Sequence, residues 1–171
     1  MATEPQNGEF PEQADDNRRI WNANARWWDD QIGDGNAFQI QLIEPATERL
    51  LAVRAGDAIV DVACGAGRFA RRMAELGAGV VAFDYSEEFI ERARERTPTE
   101  ASIEYHVVDA GNAHALLSLG TNRFNKAVCT MKMRALRALR VLRGPSGLRG
   151  LRGNKSRQSC HSHLSRPCCY I

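Results

Sequence analysis

From residue 57 to residue 131 the sequence alternates between short apolar runs and segments with helical periodicity. The apolar runs have the length of buried strands and lie at 58–62, 80–83, 103–108 and 124–131. The helical segments between them lie at 68–76, 87–96 and 112–119. Strands joined in this way by single helices build a parallel sheet through crossover units. We therefore expect an α/β fold that binds its ligand at the carboxyl ends of the strands.

The residues before this unit predict a leader and two helices. Residues 1–14 are polar and acidic, and we expect a disordered leader there. Residues 15–56 predict N-terminal helices that cap the sheet, the first of them beginning with Asp15 or Asp16 as its N-cap. Pro45 lies inside the second helix, where we expect a break or a kink.

A glycine-containing turn follows the first predicted strand. Gly65 and Gly67 carry no Cβ and so allow a ligand to approach the backbone, and Asp61 brings a carboxylate to the end of the strand. Ala70 occupies the third glycine position of the dinucleotide fingerprint, which disfavours a nicotinamide-dependent oxidoreductase. The turn suits a cationic or zwitterionic ligand better than a pyrophosphate.

Two further acids follow the next two predicted strands. Asp84 ends the second strand, about 20 residues past the glycine turn, where nucleotide-binding crossover folds hold a ribose diol. Asp109 follows the third strand, where it could accept a hydrogen bond from an adenine amino group. Each acid alone is typical of a helix cap or a turn. Together with Asp61 they predict one ligand site at the sheet edge.

Three segments resemble motifs of the class I S-adenosylmethionine-dependent methyltransferases. Residues 60–68 resemble the first motif of that family, and 81–86 and 108–110 resemble the segments that follow it. The resemblance covers about 21–131. It implies a Rossmann-like parallel sheet, S-adenosylmethionine as the cofactor and methyl transfer as the activity.

The resemblance also implies a role for individual residues. The cofactor-binding set is Asp61, Cys64, Gly65, Gly67, Asp84, Tyr85, Asp109, Ala110 and Cys129. The acid and glycines of the turn would surround the methionine part, and Asp84 would bind the ribose. Tyr85, Asp109 and Ala110 would lie near the adenine, and Cys129 with Thr130 near the transferred methyl group. The N-terminal helix often closes over the site in this family, so Trp27 and Trp28 either line the site or only pack the helix, whereas Trp21 is expected to pack.

The sequence assigns neither a catalytic residue nor a metal site. A methyl group on a sulfonium is already activated, so the protein mainly has to align donor and acceptor and exclude water. His106 alternates with apolar residues, which favours a structural role, and His114 has no partner that the sequence identifies. We expect a small-molecule acceptor rather than nucleic acid, because nothing before Lys132 is strongly basic.

The charge of the chain changes sign near residue 132. Residues 1–131 hold 13 Lys and Arg and 21 Asp and Glu, a net charge of −8, whereas 132–171 hold 10 Lys and Arg and no acid. The basic, low-complexity stretch 132–171 departs from the family pattern. It is interpreted as the product of a truncated or frame-shifted gene, with a nucleic-acid-binding tail and a basic amphipathic helix as alternatives. A sheet cut to about four strands is expected to be poorly stable and to lack a complete acceptor site.

Further properties follow from composition. No apolar run approaches the roughly 20 residues of a membrane span, and the N-terminus lacks the pattern of a targeting signal, so a cytoplasmic location is expected. The sequence does not indicate an oligomeric state. The alternative to an enzyme is a non-catalytic methyltransferase-like remnant, or an interaction protein with a basic tail.

Overall fold

The structure, a computed structural model, describes residues 11–130. Residues 1–10 of the predicted leader and the whole predicted tail, 132–171, lie outside the described residues. Four parallel strands form one sheet in the order β3-β2-β1-β4: β1 Ala58–Val62, β2 Gly79–Asp84, β3 Ile103–Val107 and β4 Lys126–Val128. Five α-helices accompany them: α1 Pro11–Ile32, α2 Glu44–Leu51, α3 Arg68–Glu75, α4 Glu87–Glu95 and α5 Ala113–Ser118. The predicted α/β class and the parallel sheet are confirmed.

The sheet buries apolar side chains on both faces, as parallel sheets do. On one face, Ile59 and Val80 pack with Phe69 and Met73 of α3. On the other face, the strands pack against α5, whose Leu116 is fully buried. Because side chains alternate along a strand, Asp61 lies on the α3 side of the sheet together with Ile59.

Helix α1 begins earlier than the sequence indicated. It starts at Pro11 rather than after a cap at Asp15 or Asp16, so residues 11–14, which were assigned to the leader, are helical. Proline is well tolerated in the first turn, because its φ is already helical and its missing N–H has no partner there. An ion pair ties α1 to α4: the buried Asp29 accepts from Arg92 Nε at 2.6 Å.

The second predicted helix continues through Pro45, so the expected break is absent, and its hydrogen-bond pattern changes just before that residue. A π-helical turn, Gln39–Ile43, leads into α2, and Pro45 occupies its first turn. Proline cannot donate a helical hydrogen bond, and the wider π turn accommodates that loss. Glu44 and Glu48 then pair with Arg68 and Arg72 at 2.5 and 2.6 Å, which attaches α2 to α3.

Candidate functional site

The three acids singled out by the sequence lie along one edge of the sheet. Asp61 pairs in register with Ala82 on β2, so Asp84, two residues further along, shares its face of the sheet. Asp84 in turn pairs with Val107 on β3, and Asp109 follows two residues later. The carboxyl ends of β1, β2 and β3 therefore present one carboxylate each.

Backbone donors hold the Asp84 carboxylate in place. Its Oδ2 accepts from Gly65 N at 3.0 Å and its Oδ1 accepts from Ser86 N at 3.0 Å. Burial raises the pKa of Asp84 above its ordinary value, and these N–H donors partly oppose the rise because they stabilise the ionised form. The bonds join the end of β2 to the glycine turn after β1, so the turn and the carboxylate form one rigid unit.

Asp61 has the opposite surroundings. The residue is 1% exposed, and neither carboxylate oxygen has a hydrogen-bond partner among residues 11–130. Burial, and then the charge of Asp84, raise its pKa to about 8. A buried polar group without a partner is costly, and at a strand end beside a cleft it points to a ligand that supplies the partner.

The glycine turn is built from left-handed backbone conformations. Ala63, Gly65 and Gly67 have φ values of 58°, 54° and 73°. A Cβ on Gly65 would meet nothing within 4 Å, so this residue faces open space. On Gly67, by contrast, a Cβ would lie 2.3 Å from the Tyr105 hydroxyl oxygen. Gly65 thus leaves room for a ligand, whereas Gly67 is required by the packing of β3 against the turn.

The remaining predicted residues divide between the turn and the opposite face of the sheet. Cys64 lies in the turn, and burial, followed by the charges of Asp61 and Asp84, raises its thiol pKa well above the ordinary value. Ala110 and Cys129 pack instead against the core cluster on the α5 side. Tyr85 is half-buried beside Asp84.

Asp109, the acid predicted to bind the adenine, forms a hydrogen bond within its own loop. Asp109 Oδ1 accepts from Gly111 N at 2.7 Å. Thr130, the last described residue, is exposed. The structure therefore brings Asp61, Cys64, Gly65 and Asp84 into one cluster, with the loop of Asp109 further along the same edge.

Sequence reasoning missed a contact between α1 and this cluster. The Ser86 hydroxyl donates to Asn22 Oδ1 at 2.6 Å and accepts from Phe89 N at 3.3 Å. Ser86 was identifiable as a helix cap, but the two bonded residues, Asn22 and Ser86, are 64 positions apart. No local sequence pattern indicates that these two residues form a hydrogen bond. Through it α1 contacts the turn that holds Asp84.

The aromatic residues of α1 have different environments. Trp21 lies 6.1 Å from the Phe89 ring of α4, centroid to centroid, which agrees with a packing role. Trp27 and Trp28 are 59% and 38% exposed and meet edge to face at 5.5 Å.

His106 lies 3.7 Å from Glu104 on its own strand.

A family comparison agrees with the fold. Residues 59–143, about half of the chain, match the family model described as a methyltransferase domain. This part of the chain belongs to the class I S-adenosylmethionine-dependent methyltransferase family. The match extends to residue 143, beyond the end of the resemblance seen in the sequence at Met131.

Individual methyltransferases match less than half of the chain. A ubiquinone biosynthesis O-methyltransferase from Xanthomonas euvesicatoria is 36% identical over 72 residues, which cover 40% of this chain and 29% of that protein. A demethylmenaquinone methyltransferase from Clavibacter sepedonicus is 40% identical over 70 residues, which cover 41% of this chain and 29% of that protein. The chain thus spans less than a third of the length of the curated relatives that it matches.

Solved structures of methyltransferases share the fold. Magnesium protoporphyrin IX methyltransferase from Synechocystis PCC 6803 with bound S-adenosylmethionine has a TM-score of 0.56 at 18% identity, covering 83% of this chain and 73% of that one. The same enzyme with bound S-adenosylhomocysteine has a TM-score of 0.55 at 20% identity, covering 73% and 64%. At these identities the likeness concerns the fold alone.

Residues 11–130 contain neither a membrane-spanning helix nor a cluster of metal-ligating side chains. None of the helices there is long and apolar enough to cross a bilayer. The described part of the chain also contains no group of three or more His, Cys, Asp or Glu side chains arranged to hold a metal ion.

Proposed function

We propose that this chain is an S-adenosylmethionine-dependent methyltransferase that acts on a small-molecule acceptor. One observation carries the proposal: the unpartnered Asp61 carboxyl lies under the glycine turn, next to the ordered carboxylate of Asp84. Class I methyltransferases bind a cofactor that has an ammonium group at one end and a ribose diol in the middle. Asp61 and Asp84 offer an acceptor for each of these groups.

The open backbone of the turn and the free lone pairs of Asp84 also support the proposal. The face of Gly65 is open, so a ligand can lie against the backbone of the turn. Both oxygens of Asp84 already accept from the backbone, yet each ionised oxygen has a second lone pair that a ribose hydroxyl can use. In this proposal Tyr85 and Asp109 contact the adenine, and Cys129 lies toward the transferred methyl group.

The residues of this site act by binding and orientation. The cofactor, when bound, would supply a methyl group activated by the positive charge on sulfur; an acceptor nucleophile would bond to that methyl carbon in line as the C–S bond breaks and the neutral thioether leaves. The turn and Asp84 form one hydrogen-bonded unit, which would hold the donor in a single position. Fixing donor and acceptor in this way converts a bimolecular encounter into a first-order step. An acceptor that ionises readily, such as a phenol, does not require a general base from residues 11–130.

Charge and relatives together favour a small acceptor. Residues 1–131 carry a net charge of −8, which disfavours a polyanionic substrate such as nucleic acid. Two relatives are named for quinones, one as a ubiquinone biosynthesis O-methyltransferase and one as a demethylmenaquinone methyltransferase. The reduced form of a quinone carries phenolic hydroxyl groups. We therefore propose that phenols and hydroquinones are the first acceptor class to test.

A methyl-transfer assay tests the proposal. The purified chain is incubated with methyl-labelled S-adenosylmethionine and a panel of phenols, catechols and hydroquinones, and label in the organic extract is counted. Asp84→Ala should abolish transfer, whereas Glu100→Ala, which removes an exposed acid from the loop at the opposite end of the sheet, should not. A chain that binds the cofactor but methylates no acceptor would contradict the catalytic proposal and favour the non-catalytic alternative.

A further inference from the structure

Within residues 11–130, Asp61 is a buried carboxyl at the site whose two oxygens both lack a hydrogen-bond partner. It is 1% exposed, and among residues 11–130 no Lys, Arg or His forms an ion pair with it. A solitary ionised carboxylate in such a place costs far more than folding can offset, so the group responds by keeping its proton.

The described groups around Asp61 are mostly acids, and Arg71, the cation whose charge acts on Cys64 and Tyr105, forms no ion pair with Asp61. From β2 comes the carboxylate of Asp84, from the turn the Cys64 thiol and from β3 the Tyr105 phenol, all of them acids. Arg71 of α3 donates to a carbonyl oxygen of the turn at 2.7 Å. The register partner of Asp61 on β4 is the apolar Val128.

The two neighbouring carboxyls therefore divide their roles. Asp84 has backbone N–H donors on both oxygens, which stabilise its charge. Asp61 has none, and its burial beside Asp84 raises its pKa to about 8. In the free protein near neutral pH, Asp61 thus holds a proton.

We propose that cofactor binding is coupled to proton release at Asp61. On binding, the Asp61 O–H bond breaks, the proton passes to solvent, and the new carboxylate pairs with the ammonium group of the cofactor's amino-acid part. No oxidant or further reactant is needed. The inference rests on the proposed function, because it requires that the cofactor occupies this site.

The coupling has two measurable consequences. Close to one proton is released per bound ligand near pH 7, since Asp61 is about 90% protonated one pH unit below its midpoint. The dissociation constant falls about tenfold between pH 6 and pH 7, since less work is needed to remove the proton at higher pH.

Proton release is measured with an indicator dye in weakly buffered protein. S-adenosylhomocysteine serves as the probe, because it carries the ammonium group and does not react. The control ligand is 5′-methylthioadenosine, which keeps the adenosine and the thioether but lacks the amino-acid part. Asp61→Asn provides the matched variant, since the amide keeps the shape of the carboxyl and has no proton to release.

The parent should release protons with S-adenosylhomocysteine and none with 5′-methylthioadenosine. Asp61→Asn should release no protons with either ligand. The variant should bind S-adenosylhomocysteine more weakly, with a dissociation constant that no longer depends on pH between 6 and 7. Binding of S-adenosylhomocysteine without proton release overturns the inference and leaves the proposed function standing. Equal release from Asp61→Asn overturns it as well, because another group is then the source. Absence of binding in a folded sample overturns the proposed function and this inference together.

Discussion

Replacing Gly67 with alanine should destabilise the domain, whereas replacing Gly65 should mainly weaken cofactor binding. Both residues have left-handed backbone, with φ of 73° and 54°, so each substitution costs about 1 kcal/mol in backbone strain. The two sites differ in what a new Cβ would meet. At Gly65 it enters open space, and at Gly67 it lies 2.3 Å from the Tyr105 hydroxyl oxygen.

The cost at Gly67 can be estimated from its surroundings. The Tyr105 hydroxyl is held by Thr97 at 3.0 Å, and a Cβ on Gly67 would also lie 3.0 Å from the Cβ of Ala93, so the ring has little room to withdraw. Overpacking of this kind costs about 1–3 kcal/mol. Gly67→Ala should therefore lower the free energy of unfolding by about 2–4 kcal/mol, and Gly65→Ala by about 1 kcal/mol.

Urea denaturation of both variants and the parent chain measures these differences, and calorimetric titration with S-adenosylhomocysteine measures binding. We expect Gly65→Ala to bind at least about tenfold more weakly while unfolding near the parent midpoint. Equal destabilisation by both substitutions would refute the packing argument for Gly67. Unchanged binding by Gly65→Ala would refute the assignment of the open face of Gly65 to the cofactor.

Three further predictions concern stability. Asp61→Asn should raise the free energy of unfolding at pH 7 by about 2–4 kcal/mol, because the pKa of about 8 in the folded parent makes its stability fall from about pH 4 to pH 8. Urea denaturation across that pH range should show the fall in the parent and not in the variant. Asp29→Ala should lower the free energy of unfolding by about 3 kcal/mol, because it removes the buried partner of Arg92. Hydrogen exchange should become faster in α1 but not in the sheet, and unchanged exchange in α1 would contradict this. Lys126→Met should cost about 1–3 kcal/mol at pH 7 by removing the 2.5 Å bond to Asp57. Burial acts to raise the pKa of Asp57, but the bond from Lys126 and the backbone donor lower it overall. The parent therefore loses the stability of this ion pair in acid, and the free energy of unfolding of the variant should fall less between pH 7 and pH 3.

Local patterns predicted the framework of this site correctly. The run of β-forming residues before the glycine turn predicted β1 at Ala58–Val62, and Ser86 predicted the start of α4 as its N-cap. Because parallel strands end at one edge, the acids after β1, β2 and β3 could be placed there from sequence alone. Their assignment to parts of the cofactor stays a prediction.

Contacts between distant residues could not be predicted in this way. Nothing near Asn22 indicates that it accepts from Ser86, and nothing near Gly67 indicates that Tyr105 lies against it. Such pairs depend on how helices pack on the sheet rather than on periodicity within one segment. The left-handed backbone of Ala63 was missed for a related reason, since alanine carries no local signal for a positive φ.

The proposed function requires that Asp84 and the turn before α3 bind S-adenosylmethionine. Calorimetric titration of S-adenosylmethionine into the full chain tests it most directly, with Asp84→Ala and Glu100→Ala titrated beside it. Circular dichroism and urea unfolding establish that each sample is folded. We expect saturable 1:1 binding by the parent and by Glu100→Ala, and loss of that binding in Asp84→Ala. A folded parent chain that shows no binding, or binding that Asp84→Ala leaves unchanged, would contradict it.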